Sequence, residues 1–159
     1  MKHIILAMTL LATVSLVACT VLPTTPLQTT ATNTAEEAAI RDLVENFGKR
    51  LQAVSLQSPN AAQEMQEQYS EFVSPALLET WMNDVSKAPG RVVSSPWPDR
   101  IEITSIVREE ADRYVVVGFV VEVTSMEVVS GGAAAKTPVR IVLEKREGRW
   151  LITEYAEER

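Results

Sequence analysis

The sequence predicts an α+β domain, and three observations carry that expectation. Apolar residues recur at helical spacing through three segments in the first half of the chain. In the second half they alternate at the strand period through four segments. Short turns join the later segments, as an antiparallel meander requires. The domain is expected to run from residue 35 to residue 159.

The helices are read from their start signals and stripes. Thr34-Ala35-Glu36-Glu37 has the form of a capping box, with Thr34 as N-cap and Glu37 three positions later. Ile40, Leu43, Val44, Phe47, Leu51 and Val54 then fall on one face of a helix over about 35–55. Gly48 interrupts that helix at a cost of about 1 kcal/mol relative to Ala, which suits a close neighbour. Ser58-Pro59 predicts a second start, with Ser as cap and Pro at the first helical position. Met65, Tyr69, Phe72 and Val73 mark its apolar side. Ser74-Pro75 repeats the signal, and Leu77, Leu78, Trp81, Met82 and Val85 form a third stripe that stops before Ala88-Pro89-Gly90.

The strands follow. Ile101–Arg108 reads as a short strand with Ile101 and Ile103 on one face. Arg113–Val129 reads as the longest and most central, with Val115, Val117, Phe119, Val121 and Val123 inward and Val116 and Val120 on the other face. Ser130-Gly131-Gly132 opens a flexible loop. Val139, Ile141 and Leu143 alternate along the next strand. Glu147-Gly148 is a tight turn, and Trp150–Tyr155 is the last strand before an acidic tail.

Three N-terminal helices on a curved four-stranded antiparallel meander resemble the cystatin-like cone of the nuclear-transport-factor-two and ketosteroid-isomerase superfamily, over roughly residues 35–156. A single helix on a meander fits less well, because three capped helices are visible. In the enzymes of that superfamily a carboxylate or His in the cone acts as base, with Tyr or acid donors opposite. No motif carries that role to a position of this chain. By residue type alone, Asp84, Tyr69 and Tyr155 are the candidates, against a solvated surface role for Asp84 and core roles for the tyrosines.

The first 18 residues have the parts of an export signal. Lys2 supplies the positive region, and Ile4–Val17 is an apolar run too short to span a bilayer. It ends in Leu16-Val17-Ala18-Cys19, which resembles the lipobox of bacterial lipoproteins. That resemblance implies diacylglycerol on the Cys19 sulfur, cleavage before Cys19 and, often, acylation of the new amino group. Two or three acyl chains make a stable anchor. A plain secretory signal with a chance Cys is the alternative. Residues 19–34 carry no charge, and Thr20–Thr34 holds seven Thr with Pro23 and Pro26, so this stretch reads as a tether.

Composition removes several function classes. The chain has 159 residues, 15 basic and 21 acidic, for a net charge of −6. That balance argues against nucleic-acid binding. One Cys and one His, both in the leader region, rule out zinc sites built on those ligands and leave carboxylates, Tyr and Lys as the proton-transfer groups. Phosphate loops and calcium loops are absent from the sequence, and no metal or cofactor is expected. Glu109-Glu110 and Glu157-Glu158 read as solvated turn and tail residues.

The most distinctive segment is Arg91–Arg100, in which Pro96 and Pro98 hold Trp97 and Arg91, Asp99 and Arg100 flank it. Trp and Arg on a rigid support are the residue types of binding hot spots. The alternative is a crossover whose Trp plugs the open end of the sheet. The expected function is a non-enzymatic binding or accessory module, lipid-anchored on the extracytoplasmic face of a bacterial membrane. It would take an envelope protein partner at Trp97, Arg91, Asp99 and Arg100, or a small apolar ligand in the cone. A small isomerase or dehydratase using a pocket carboxylate is the other reading.

Overall fold

The computed structural model describes residues 27–158, with side chains from Asn33 onward. The expected leader (1–18), the lipobox with Cys19, and the tether as far as residue 26 lie outside the described residues. Helix α1 runs Leu27–Arg50, α2 Ala61–Tyr69 and α3 Pro75–Asn83. Strands β1 (Trp97–Glu110), β2 (Arg113–Val123), β3 (Ala135–Arg146) and β4 (Arg149–Glu157) follow, with a short helix α4 (Ser125–Ser130) between β2 and β3. The sheet order is β1-β2-β3-β4, every pair antiparallel. This is an α+β fold built on an open four-stranded meander.

The helical stripe of α1 is the spine of the core. Ile40, Val44, Phe47, Leu51 and Val54 are all fully buried. Gly48 lets α1 approach β1 closely, because a Cβ there would lie 2.6 Å from the Ile101 backbone nitrogen. α1 begins earlier than the capping signal suggests. Thr34 lies inside the helix, so residues 27–34, read as tether, are helical instead. The helix ends at Arg50, and a single 3₁₀ turn (Leu51–Ala53) completes the stripe.

α2 starts two residues beyond its expected position. Ser58 uses its hydroxyl to accept the Asn60 amide (3.1 Å) and to donate to Glu64 (2.7 Å), which makes Ser58–Asn60 a turn ahead of the helix. α3 starts where the sequence places it, with the Ser74 hydroxyl accepting the Leu77 amide and Pro75 at the first position. The segment between α2 and α3 covers part of the β4 edge: Ile152 donates to Phe72 and its carbonyl accepts from Ser74.

Two readings of β2 are corrected. Its inward residues are Tyr114, Val116 and Val120, which join the helix-facing core with Ile101, Val139, Ile141, Leu143 and Ile152. Val117, expected inward, is exposed, while Val115, Val121 and Val123 are buried apart from that core. A run of valines has the same period on either face. The large Tyr114 ring, packed edge-on against Trp150 at 5.2 Å, lies on the inward series. The strand also ends at Val123. Thr124 and Glu127 form a capping box, and residues 125–129, expected as strand, turn into α4 together with Ser130.

β1 is longer than expected at both ends, so Trp97 belongs to the sheet, opposite Val123. Three register shifts interrupt its pairing with β2, the kind of irregularity that bends a strand. Between helices and sheet the interior is filled by aromatic rings. Phe47 meets Tyr69 (5.1 Å), Phe72 (6.0 Å), Trp81 (6.4 Å) and Tyr155 (6.0 Å). The far face of the sheet carries an ionic array centred on Arg113, which pairs with Glu109 (3.0 Å), Glu144 (2.6 Å) and Glu154 (3.1 Å).

Candidate functional site

The start of β1, the end of β2, the start of β3 and the end of β4 share one end of the sheet, as their pairing dictates. Two connections cluster there. The first is Arg91–Pro96, held by its root: Arg91 donates from its amide to the Val54 carbonyl (2.8 Å), and its carbonyl accepts from Leu56 (2.9 Å). Beyond that clamp Val92 and Val93 are exposed by about half. The second is α4, which projects Met126 (71% exposed), Val128 (64%) and Val129 (89%). Five of the seven large exposed hydrophobics among the described residues therefore sit at this end. Isolated exposed apolar residues are ordinary, whereas several gathered at one end of a sheet are a candidate contact surface.

The capping box explains why α4 holds this shape despite its length. The Thr124 hydroxyl accepts the Met126 amide, and Glu127 accepts both the Thr124 amide (2.8 Å) and its hydroxyl (2.5 Å). Those bonds, the hydroxyl one foremost, hold the Glu127 carboxyl below the usual glutamate range. The sequence motif Thr124-x-x-Glu127 was there to be read, but the valines after it suggested a strand.

The expected binding residues come to this end in different states. Trp97 is half-buried and stands outside the helix-facing core. Arg100 is bound to its neighbours, donating to Asp99 (2.8 Å) and Glu102 (2.6 Å), and Lys136 also pairs with Glu102. The chain of four groups has no net charge. Asp99 and Arg100 are thus already paired beside Trp97. Arg91 takes part through its backbone clamp.

The proton-transfer candidates do not converge. The Tyr69 hydroxyl is buried and donates to the Pro89 carbonyl (2.9 Å), and burial pushes its pKa well up. Tyr155 donates to Glu157 (2.6 Å). Asp84 ends α3 and accepts from the Ser86 hydroxyl (2.6 Å) and amide while pairing with Lys87 (3.1 Å). Those contacts, the Ser86 hydroxyl first, hold its carboxyl low.

Beside the apolar tip lies a cavity of about 240 Å³, lined by Leu51, Gly90, Val92, Pro98, Val120, Glu122, Thr137 and Glu157. The sequence does not single out Glu122, and Glu157, expected as a solvated tail residue, ends β4 and lines the cavity instead. They lie 35 positions apart, and only the pairing of four strands brings them to one mouth. No cluster of metal-ligating side chains occurs among the described residues. No helix among them is long and apolar enough to cross a membrane.

No protein family and no curated protein matches the chain. Solved structures that resemble it include the following two. One is a designed NTF2-type protein, 14% identical over 80% of this chain and 99% of that one, with a TM-score of 0.39. The other is the intermembrane space region of the chloroplast protein ARC6, 14% identical over 79% and 94% of the two chains, with a TM-score of 0.41.

Proposed function

We propose that the chain is a lipid-anchored accessory module of the bacterial envelope, a cone-like domain that docks a protein partner through the apolar tip formed by Val92, Val93, Trp97 and α4. The observation that carries this reading is the concentration of exposed apolar side chains at one end of the sheet. A small apolar ligand would have to lie where Phe47, Tyr69, Trp81 and Tyr155 already pack against one another, so the partner surface is the better supported of the two binding modes.

The anchor and the tip occupy opposite ends of the domain in this reading. The start of α1 lies by the other end of the sheet, where Glu36 pairs with Arg108 of β1 (3.5 Å) and Lys145 of β3 (3.0 Å). An α-helix of 24 residues is about 36 Å long. A tether leaving Leu27 toward a lipidated Cys19 would therefore present the tip away from that membrane.

The experiment is site-specific photo-cross-linking in the bacterium that makes the protein. Probes at Val93 and Val129 are expected to give one discrete adduct, weakened by Trp97→Ala, whereas a probe at Val107, as exposed as Val93 but at the far end, does not give it. Equal adducts from all three positions, or none from the tip, would refute the docking surface. The anchor is tested separately: Cys19→Ser should move the protein out of the membrane fraction.

A further inference from the structure

We propose that two copies of this chain pair through the outer edge of β1, antiparallel, to make one continuous eight-stranded sheet. The inference goes beyond the docking tip and does not depend on it. The two edges of the sheet differ. β4 is covered in part by the segment ahead of α3, which bonds to both backbone groups of Ile152. β1 pairs with β2 on one side, and among the described residues nothing bonds the backbone of residues 101–107 on the other. Open edges are commonly blunted by charge or proline. Ile103-Thr104-Ser105-Ile106-Val107 carries neither and is β-branched at every position but Ser105. Thr104, Ser105 and Val107 are exposed.

A register shift between Ile103 and Ser105 fixes how a second copy can lie. Before the shift the helix-facing residues are Ile101 and Ile103; after it they are Ile106 and Arg108. A two-fold axis normal to the sheet sets like faces side by side, so it must pass between two residues. Between Thr104 and Ser105 it sets Ile103 opposite the second copy's Ile106, and Arg100 opposite its Glu109. Apolar then meets apolar on the helix side, and opposite charges meet on the far face.

The charges of α1 agree with that axis and select a second copy as the occupant. α1 runs antiparallel to β1, with Gly48 against the Ile101 backbone and Glu36 paired with Arg108. Halfway between those contacts lie Asp42 on the helix and the Thr104–Ser105 bond on the strand. Glu37, Arg41, Glu45 and Lys49 recur along the helix at intervals of four, with alternating sign. The last three border a cleft of about 320 Å³ against residues 100–103, where the second copy's Ile106 would enter. Neighbours at that spacing can pair within one helix. None of the four does so among the described residues. A two-fold level with Leu43 sets Glu37 opposite the second copy's Lys49 and Arg41 opposite its Glu45, and symmetry repeats both pairs. The pair leaves both tips uncovered and turns them in opposite directions. Anchored through both chains it would lie along its membrane, whereas a lone copy holds its tip away, so pairing would set how the tip is presented.

The test is sedimentation of the whole chain, purified in detergent, across a concentration series. The protein mass should be that of two copies at micromolar concentration and fall to one on dilution. Arg41→Glu and Glu45→Lys should each weaken pairing about tenfold, and the double variant should restore it. Nitroxide labels at Ser105, beside the axis, should lie within about 20 Å of each other, and labels at Val129 about 50 Å apart, at about 3.3 Å per residue along β1. A single-copy mass at every concentration would overturn the proposal. So would a double variant no better than the single ones, or Val129 labels closer together than Ser105 labels. A photo-probe at Val107 should capture a second copy of the chain and nothing else. The tip adduct should survive Arg41→Glu, so the docking tip and the pair fail separately.

Discussion

Trp97 and Val123 face each other across the first and second strands, at the point where one begins and the other ends. The pairing makes Trp97 part of the sheet, yet its ring is only half-buried and stands outside the helix-facing core. Both readings of Trp97, plug and recognition anchor, meet at this residue. Trp97→Ala should therefore lower stability by about 1–2 kcal/mol. The same change at the buried Trp81 should cost about 3–5 kcal/mol. Urea denaturation of the two variants tests the difference, and comparable losses would make Trp97 structural.

Gly48→Ala separates helix propensity from packing. Propensity alone predicts a gain of about 1 kcal/mol. Packing predicts a net loss of about 1–3 kcal/mol, because the new methyl meets the Ile101 backbone, which cannot rotate away. Thermal melting of the single variant reads the sign directly.

Two buried tyrosines should respond oppositely to loss of the hydroxyl. Tyr69→Phe strands the Pro89 carbonyl and should cost about 1–2 kcal/mol. The Tyr114 hydroxyl is buried with no hydrogen-bond partner among the described residues, so Tyr114→Phe should be neutral or slightly stabilising. Chemical denaturation of both variants under one set of conditions gives the comparison.

Acid should loosen α4 before the rest of the fold. The Glu127 carboxyl is depressed in the folded state, so its contribution is present above the ordinary glutamate range and is lost as pH falls through the lowered value. Protection of the Val128 and Gly131 amides, which donate to the Thr124 and Glu127 carbonyls, should fall relative to the intrinsic exchange rate as the pH drops below the ordinary glutamate range. Glu127→Gln should show the lower protection already at neutral pH. Protection that is independent of pH in the wild-type chain would contradict this.

Local chemistry and tertiary choice divide what the sequence made legible. Ser74-Pro75 specified the start of α3 because cap and first turn are properties of adjacent residues. The stripe from Ile40 to Val54 was equally readable, since every member points one way. Val115–Val123 could not declare its inward face, because both faces are apolar and the choice rests on what Tyr114 and Val116 meet across the core. Residues 27–34 have no apolar stripe, so nothing in their spacing distinguished helix from tether. Trp97 was legible as an unusual residue, while the exposed side chains of α4 and the presence of Glu122 and Glu157 at one cavity exist only once strands are paired.

The clamp at the head of α1 has a mechanical consequence. Glu36 is tied to Arg108 on the first strand and to Lys145 on the third, two strands that are not neighbours. A pull arriving along the chain from the residue 26 side reaches this carboxylate before it reaches any ring of the aromatic interior. It is then divided between strands on either side of the second, which loads the sheet as a unit instead of peeling one strand from its edge. Glu36→Ala would leave the resting fold in place and lower the force at which α1 is drawn off it.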